Sequence, residues 1–500
     1  VAIVGAGFGG LAAALELKRA GIDSFTILER SGEVGGVWQA NTYPGAACDV
    51  PSVIYQFSRH LKPNWSRRFG RQQEIRDYLR EVSVETGVRD HIQFNTAVLS
   101  AGFDEEAGSW ELTLADGGRL TCDVLICATG QLSRPRLPEV PGREEFQGAQ
   151  FHSAEWDHSV DLSGRRVVVV GGGASAIQIV PAIVDQTEHL TVVQRSPSWV
   201  VAKYDWTPTR LEHELVRRFP VLHSLYHQLM WWWFESRYPL VLQRTDPIRR
   251  LWEAKLRRSI RRQLVDPAKI AAATPDYALG CNRLLLSSEW YPTVARPDVD
   301  LIRAGVGAMT ATGVVTSDGR EIPADVVIWC TGFTATEYLA PMQITGRGGI
   351  DIRDAWSDGP EAYLGLTTPG FPNMFMSYGP NTGSLTNTLV SMVEYQASYM
   401  RQAIEYIAAN DVTLEIRPEV HADFNREAGE RLQKTVFTSG CPGWYTTDSG
   451  RVTTVWFGSH LEYRRRTRTF DETIYTRRGR PTPAPSPAPA SADGLQPSIS

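Results

Sequence analysis

The chain has 500 residues, enough for two or three domains with full cores, in an ordinary globular composition. A formal net charge of −5 excludes nucleic acid as a main partner, since phosphate binding requires a basic field. Six cysteines without CxxC or framework spacing point to reduced thiols, a cytoplasmic location and no metal site, and no apolar run reaches the roughly 18 residues of a membrane span.

The residues present open directly on a strand, Val1–Val4, without a signal peptide. The turn Gly5-Ala6-Gly7-Phe8-Gly9-Gly10 follows, then a helix through Leu17 and a strand over 24–28 ending at Glu29. The same order returns later in the chain. A strand over 167–170 leads into Gly171-Gly172-Gly173-Ala174-Ser175-Ala176, a helix, and a strand over 190–193 ending at Gln194-Arg195-Ser196. Gly5 to Glu29 and Gly171 to Arg195 have equal spacing. In each unit the first glycine permits the tight turn and the second lets backbone approach a pyrophosphate. The third position, Gly10 or Ala176, allows close helix–strand packing, and the helix N-terminus faces the phosphates.

The two units differ at the residue ending their second strand. A carboxylate there accepts hydrogen bonds from a ribose diol, so Glu29 fits the adenosine of FAD or NAD, and the first unit is assigned to FAD. A guanidinium and a hydroxyl attract a 2′-phosphate, so Arg195 and Ser196 fit NADPH. Two strands of the form D-h-h-h-h-x-T-G, Asp123–Gly130 and Asp325–Gly332, read as the chain crossings between the units. Residues 131–142 carry Pro135, Pro138 and Pro141 and read as an extended linker. Residues 206–275 show helical spacing rich in Leu, Arg, Trp and Glu, with Trp231, Trp232 and Trp233 read as helix-packing core. From about Thr482 the Pro/Ala/Ser-rich end reads as disordered.

Four stretches resemble motifs of one family. Ahead of the second unit, Phe146, Gly148, His152, Trp156 and Asp157 form the pattern F-x-G-x-x-x-H-x-x-x-W-D. Gly35 through Asp49 read G-G-x-W-x-x-x-x-Y-P-G-x-x-x-D, Gly280-Cys281-Asn282-Arg283 is similar to G-C-K-R, and Tyr378–Thr382 contains G-P-N-T. Together they resemble the type I Baeyer–Villiger monooxygenases over nearly the whole chain.

The resemblance implies an α/β fold with two Rossmann-like dinucleotide-binding domains, for FAD and NADPH, and a helical insertion in the NADPH domain. The FAD domain is expected at residues 1–135 and 333–480 and the NADPH domain at 136–205 and 276–332. The insertion then falls at 206–275 and a disordered tail at 481–500. The implied reaction uses NADPH and O2 to insert one oxygen atom beside a ketone carbonyl, through a C4a-peroxyflavin with NADP+ retained. A flavin monooxygenase acting on nitrogen or sulfur is the alternative.

Arg283 is expected to favour the anionic peroxide, with Asp49 orienting it. Cofactor contacts are implied at Gly5, Gly7, Gly10, Glu29, Arg30, Gly36, Val37, Trp38, Asp49, Tyr55, Val98, Gly130, Gly171, Gly173, Ser175, Ala176, Arg195, Ser196, Asn282, Arg283 and Asn381. Phe146, Gly148, His152, Trp156 and Asp157 are expected to couple the two nucleotide domains, with His152 positioning them rather than transferring protons. The chain departs from the family at Asn282, where Lys is frequent, which implies weaker discrimination against NADH. It also lacks the Gly-His that usually follows G-P-N-T. A helix over 386–406 should point its N-terminus at the flavin. Aromatic residues over 199–240 hint at a bulky or apolar ketone, and the sequence leaves the oligomeric state open.

Overall fold

A computed structural model describes residues 1–237, 247–384, 386–438, 445–447 and 449–480. The expected tail at 481–500 and Cys441 lie outside them. In chain order the framework comprises β1 (Ala2–Val4), α1 (Phe8–Arg19), β2 (Thr26–Leu28), β3 (Ile92–Gln93), β4 (Leu125–Cys127), β5 (Ala149–His152), β6 (Arg166–Val170), α2 (Ala174–Ile183) and β7 (His189–Val193). A helical segment follows: α3 (Arg210–Arg218), α4 (Pro220–Glu235), α5 (Pro247–Gln263) and α6 (Pro267–Ala273). The framework closes with β8 (Val299–Ile302), β9 (Val326–Trp329), β10 (Met374–Met376) and α7 (Leu389–Asn410).

Two parallel sheets result, ordered β10-β4-β1-β2-β3 and β8-β7-β6-β9-β5. Their central strands are short apolar runs buried on both faces, as parallel strands covered by helices must be. In α1 the small side chains Ala12, Ala13 and Ala14 are buried against the core that also holds Val393, Ala397 and Met400 of α7. Lys18 and Arg19 complement the dipole at its C-terminal end. A four-stranded sheet containing Val98–Asp104 covers the other face of the first parallel sheet, through Trp110, Leu112 and Ile344.

The strand and crossing pattern thus matches the sequence reading, with three differences. The helix expected from residue 386 begins at Leu389, because the Thr388 hydroxyl caps it by accepting the Val390 N–H at 3.2 Å. Of the tryptophan triplet only Trp231 is buried; Trp232 and Trp233 face outward. Cys281 is disulfide-bonded rather than a free thiol. Such a pairing depends on tertiary approach, which cysteine spacing does not encode.

The two extended crossings run side by side. Arg136 donates its N–H to the Gly332 carbonyl at 2.9 Å, and Thr334 donates to the Arg134 carbonyl at 3.1 Å.

Candidate active site

The first glycine turn is closed by packing. A Cβ on Gly10 would stand 1.9 Å from the Gly5 carbonyl oxygen, so only glycine lets α1 approach β1 this closely. Gly7, the N-cap of α1, offers no side-chain cap, which leaves first-turn N–H groups for an anion. Glu29 is buried at the end of β2; it accepts the Ala6 N–H at 2.7 Å and the Ser31 N–H at 2.9 Å. It therefore shapes the turn. Gly36 lies against Gly7 with φ +56°, carrying Val37 and Trp38 into a short helix beside the turn. The Trp38 indole N–H donates to the Tyr55 hydroxyl at 3.1 Å, and Tyr55 is buried.

Gly130 ends the first crossing in a left-handed conformation, φ +70°. Arg30 is exposed and donates to the Ser133 carbonyl at 3.2 Å, while Val98 opens the four-stranded sheet. Asn381 is placed differently from a simple cofactor contact. Its amide group donates to the Val452 and Val455 carbonyls at 3.0 and 3.2 Å, bracing two segments of backbone.

The second cradle is open. Gly173 caps α2 without a side chain, and a Cβ there would meet nothing within 4 Å. Ala176 is buried beneath, and the Ser175 hydroxyl hydrogen-bonds Tyr43. Past β7, Gln194 is buried and donates to the Ala272 carbonyl at 3.1 Å, while Arg195 is exposed and Ser196 half-buried. Asn282 hydrogen-bonds the Tyr277 hydroxyl. Both cradles fit a dinucleotide pyrophosphate: uncapped helix N-termini, glycine floors, and a carboxylate or a guanidinium at the expected strand end.

Between the cradles, Asp49 and Arg283 form a two-pronged ion pair, Nε to Oδ2 at 2.7 Å and a terminal guanidinium nitrogen to Oδ1 at 2.8 Å. The planar guanidinium matches the carboxylate, which fixes its orientation. The pair is partly accessible, with 40% of the arginine and 25% of the aspartate side chain exposed. Burial alone would raise the Asp49 carboxyl, but the Arg283 charge and its hydrogen bonds prevail and hold it below the usual range. Asp49 in turn raises Arg283 against its own desolvation. Tyr445 is buried and Tyr378 partly buried, both close enough to feel the Arg283 charge.

Lys203, not singled out in the sequence, adds a second cation near Asp49. It donates to the Cys48 carbonyl at 3.0 Å and lies 4.9 Å from the Phe69 ring centre. Burial lowers its pKa, partly offset by Asp205, Cys48 and Asp49. Cys48 itself is inert, its thiol pushed up to about 12 by burial.

Residues 42–49 fasten the first unit to the second. The Tyr43 hydroxyl donates to Gln178 of α2 at 3.0 Å, and the Gln178 amide donates to the Ala47 carbonyl at 2.9 Å. Arg67 pairs with Asp205 at 3.0 Å. At the missing Gly-His, the structure brings a histidine from elsewhere: the His460 ring lies 2.8 Å from the Ser384 hydroxyl. Burial lowers His460 to about 3, so it is neutral. Lys203, Gln178 and His460 carry no local motif, and only tertiary structure brings them in.

The Phe146–Asp157 motif contributes β5, the edge strand paired with β9, with His152 opposite Trp329. Phe146 packs into the core beneath, and a Cβ on Gly148 would stand 2.4 Å from the Asp325 carbonyl oxygen. The His152 Nδ1 accepts the Ala154 N–H at 3.1 Å, and its ring packs edge-on to Phe333. Burial lowers it to about 4, with a partial offset from the backbone of Gly332. Trp156 packs edge-on to Phe151, and Asp157 caps a surface turn by accepting Ser159.

Two dinucleotide cradles with a fixed cation between them define a flavoprotein oxidoreductase that also takes a pyridine nucleotide. A family model described as pyridine nucleotide-disulphide oxidoreductase matches residues 2–218. A Baeyer-Villiger monooxygenase of Streptomyces coelicolor is 40% identical over 478 residues, spanning 95% of this chain and 92% of that protein. Another, of Pseudomonas aeruginosa, is 39% identical over 95% of this chain and 90% of its own length. Among solved structures, an oxidized steroid monooxygenase bound to NADP superposes with a TM-score of 0.83 at 31% identity, over 93% of this chain and 96% of that one. The OTEMO complex with FAD and NADP gives 0.87 at 26% identity, over 95% and 99%. The chain belongs to the Baeyer–Villiger monooxygenase family.

Proposed function

We propose that the chain converts a ketone, O2, NADPH and a proton into an ester or lactone, NADP+ and water, with Arg283 as the catalytic cation. The observation that carries this is the two-pronged Asp49–Arg283 pair between the two cradles. FAD, when bound, supplies hydride acceptance from NADPH and activation of O2. Gly5, Gly7, Gly10, Glu29, Gly36 and Trp38 would hold it, and Gly171, Gly173, Ser175, Arg195 and Ser196 would hold NADPH.

Arg283 supplies fixed positive charge where a carbonyl oxygen gains negative charge, and being pre-oriented it needs no reorganisation during the reaction. Asp49 keeps that guanidinium aimed and charged. The buried rings of Tyr55 and Tyr445 and the partly buried ring of Tyr378 limit water around it. We assign residues 1–135 and 333–480 to the FAD domain and 136–205 and 276–332 to the NADPH domain, with 206–275 inserted. The strand membership of the two parallel sheets supports this division. The aromatic residues behind the expectation of a bulky or apolar ketone include Tyr226, Trp232 and Trp233, which face outward and give that expectation no support. We assign the enzyme to the cytoplasm because the reaction consumes NADPH, which is regenerated there.

The test is Arg283→Ala, assayed separately for flavin reduction by NADPH and for ester formation. Ester formation should fall by about 100-fold or more, while reduction continues. Ester formation at the normal rate would overturn the assignment. A sulfide run beside the ketone tests the alternative: preferred sulfide oxygenation would favour attack on heteroatoms.

A further inference from the structure

Helix α4 has two faces. Its inward face carries His223, Trp231 and Glu235, 6%, 7% and 7% exposed, while Leu222, Leu225, Tyr226, Leu229, Trp232 and Trp233 face outward, each about half exposed. The outward positions recur every three or four residues, so they form one stripe. The orientation is locked from within: Glu235 accepts the Leu461 N–H at 3.0 Å and the Asn387 amide at 3.4 Å. Rotating the stripe inward would break both bonds and leave the Leu461 N–H and the Asn387 amide without that acceptor.

The neighbouring helices continue this character. On α3, Leu211 and Leu215 are exposed, as is Phe219 at the junction with α4. On α5 the exposed positions begin with Ile248, Leu251 and Trp252 and end with Lys255, Arg258, Arg261 and Arg262. Residues 209–237 and 247–263 together hold eleven Arg and Lys against four Glu, a net of +7 inside a chain whose total is −5. No helix among the described residues is long and apolar enough to cross a membrane.

We propose that the α3–α5 insertion docks this enzyme on an anionic lipid bilayer, lying in the headgroup region without crossing it. Leucines and tryptophans would enter the boundary of the acyl chains, and the cationic end of α5 would meet lipid phosphates. Tryptophan and tyrosine suit that boundary because each has an apolar body and a polar edge. The charge excludes the simplest rival occupant: a twofold pairing of the patch with a second copy would set +7 against +7. A nucleic acid would match the charge and leave the aliphatic stripe unburied.

Flotation of the whole FAD-loaded protein with vesicles tests the proposal. Vesicles of equal parts phosphatidylcholine and phosphatidylglycerol should carry the enzyme, and pure phosphatidylcholine should not. The double variants Trp232→Ser/Trp233→Ser and Arg258→Glu/Arg262→Glu should each weaken binding by at least about tenfold. Both should keep flavin content and turnover of a small water-soluble ketone. The proposal is overturned if the enzyme stays with neither vesicle, or if neither double variant changes binding. A lipid-free dimer that Leu229→Asp dissociates would also overturn it.

Discussion

Arg195 is exposed at the end of β7, while Asn282 spends a hydrogen bond on Tyr277, so the proposed recognition of a 2′-phosphate would fall mainly on Arg195. A charge-assisted bond contributes about 1.5–3 kcal/mol. Arg195→Ala should therefore raise the KM for NADPH by about 10- to 100-fold and leave NADH almost unaffected, as steady-state titration with each cofactor would show. Equal losses with both would assign Arg195 to shared binding instead. Glu29, Arg195, Asp49 and Arg283 were singled out in the sequence because each sits at a set place in a motif whose chemistry calls for that residue type. Lys203, Gln178 and His460 were not. Each acts on a segment far away in the chain, and nothing near it in sequence marks the partner.

At the scale of elements, the Phe146–Asp157 stretch is a piece of sheet. It supplies the edge strand β5, a glycine pressed against the start of β9, and a neutral histidine packed on Phe333. Its regular spacing thus reflects packing, while the chemistry is proposed for residues 49 and 283. Gly148→Ala should destabilise the protein by about 1–3 kcal/mol, since the added methyl meets backbone that must shift. Urea unfolding followed by flavin fluorescence would measure it. Unchanged stability with lost hydride transfer would instead give the motif a chemical role.

The parallel strands and glycine turns were read correctly because burial on both faces leaves an unmistakable apolar run. Helix α4 misled for the opposite reason. Its apolar residues suggested core, but which face turns inward is decided by Asn387 and the Leu461 amide, more than 150 and 220 residues away.

Across the whole molecule, burial lowers His152, His227 and His421 to about 4 and His460 to about 3. In the unfolded chain each titrates near about 6.5. Between those values the unfolded state binds more protons, so stability falls as pH drops from about 6.5 toward 4. Glu394 acts in the other direction: burial raises its carboxyl to about 7, so the folded state takes up its proton first as pH falls. One proton against four leaves the histidines dominant. Urea midpoints should decline steadily over that window, and a flat or rising profile would contradict the argument.

The fastening of residues 42–49 to α2 has a thermodynamic consequence. Ordering one nucleotide site must bias the other, because Gln178 and Lys203 hold the loop that carries Asp49. Linkage makes such an effect reciprocal: whatever factor NADP+ adds to the affinity for FAD, FAD adds to the affinity for NADP+. Where that factor exceeds one, the enzyme should lose its flavin most readily when its nicotinamide partner is scarce.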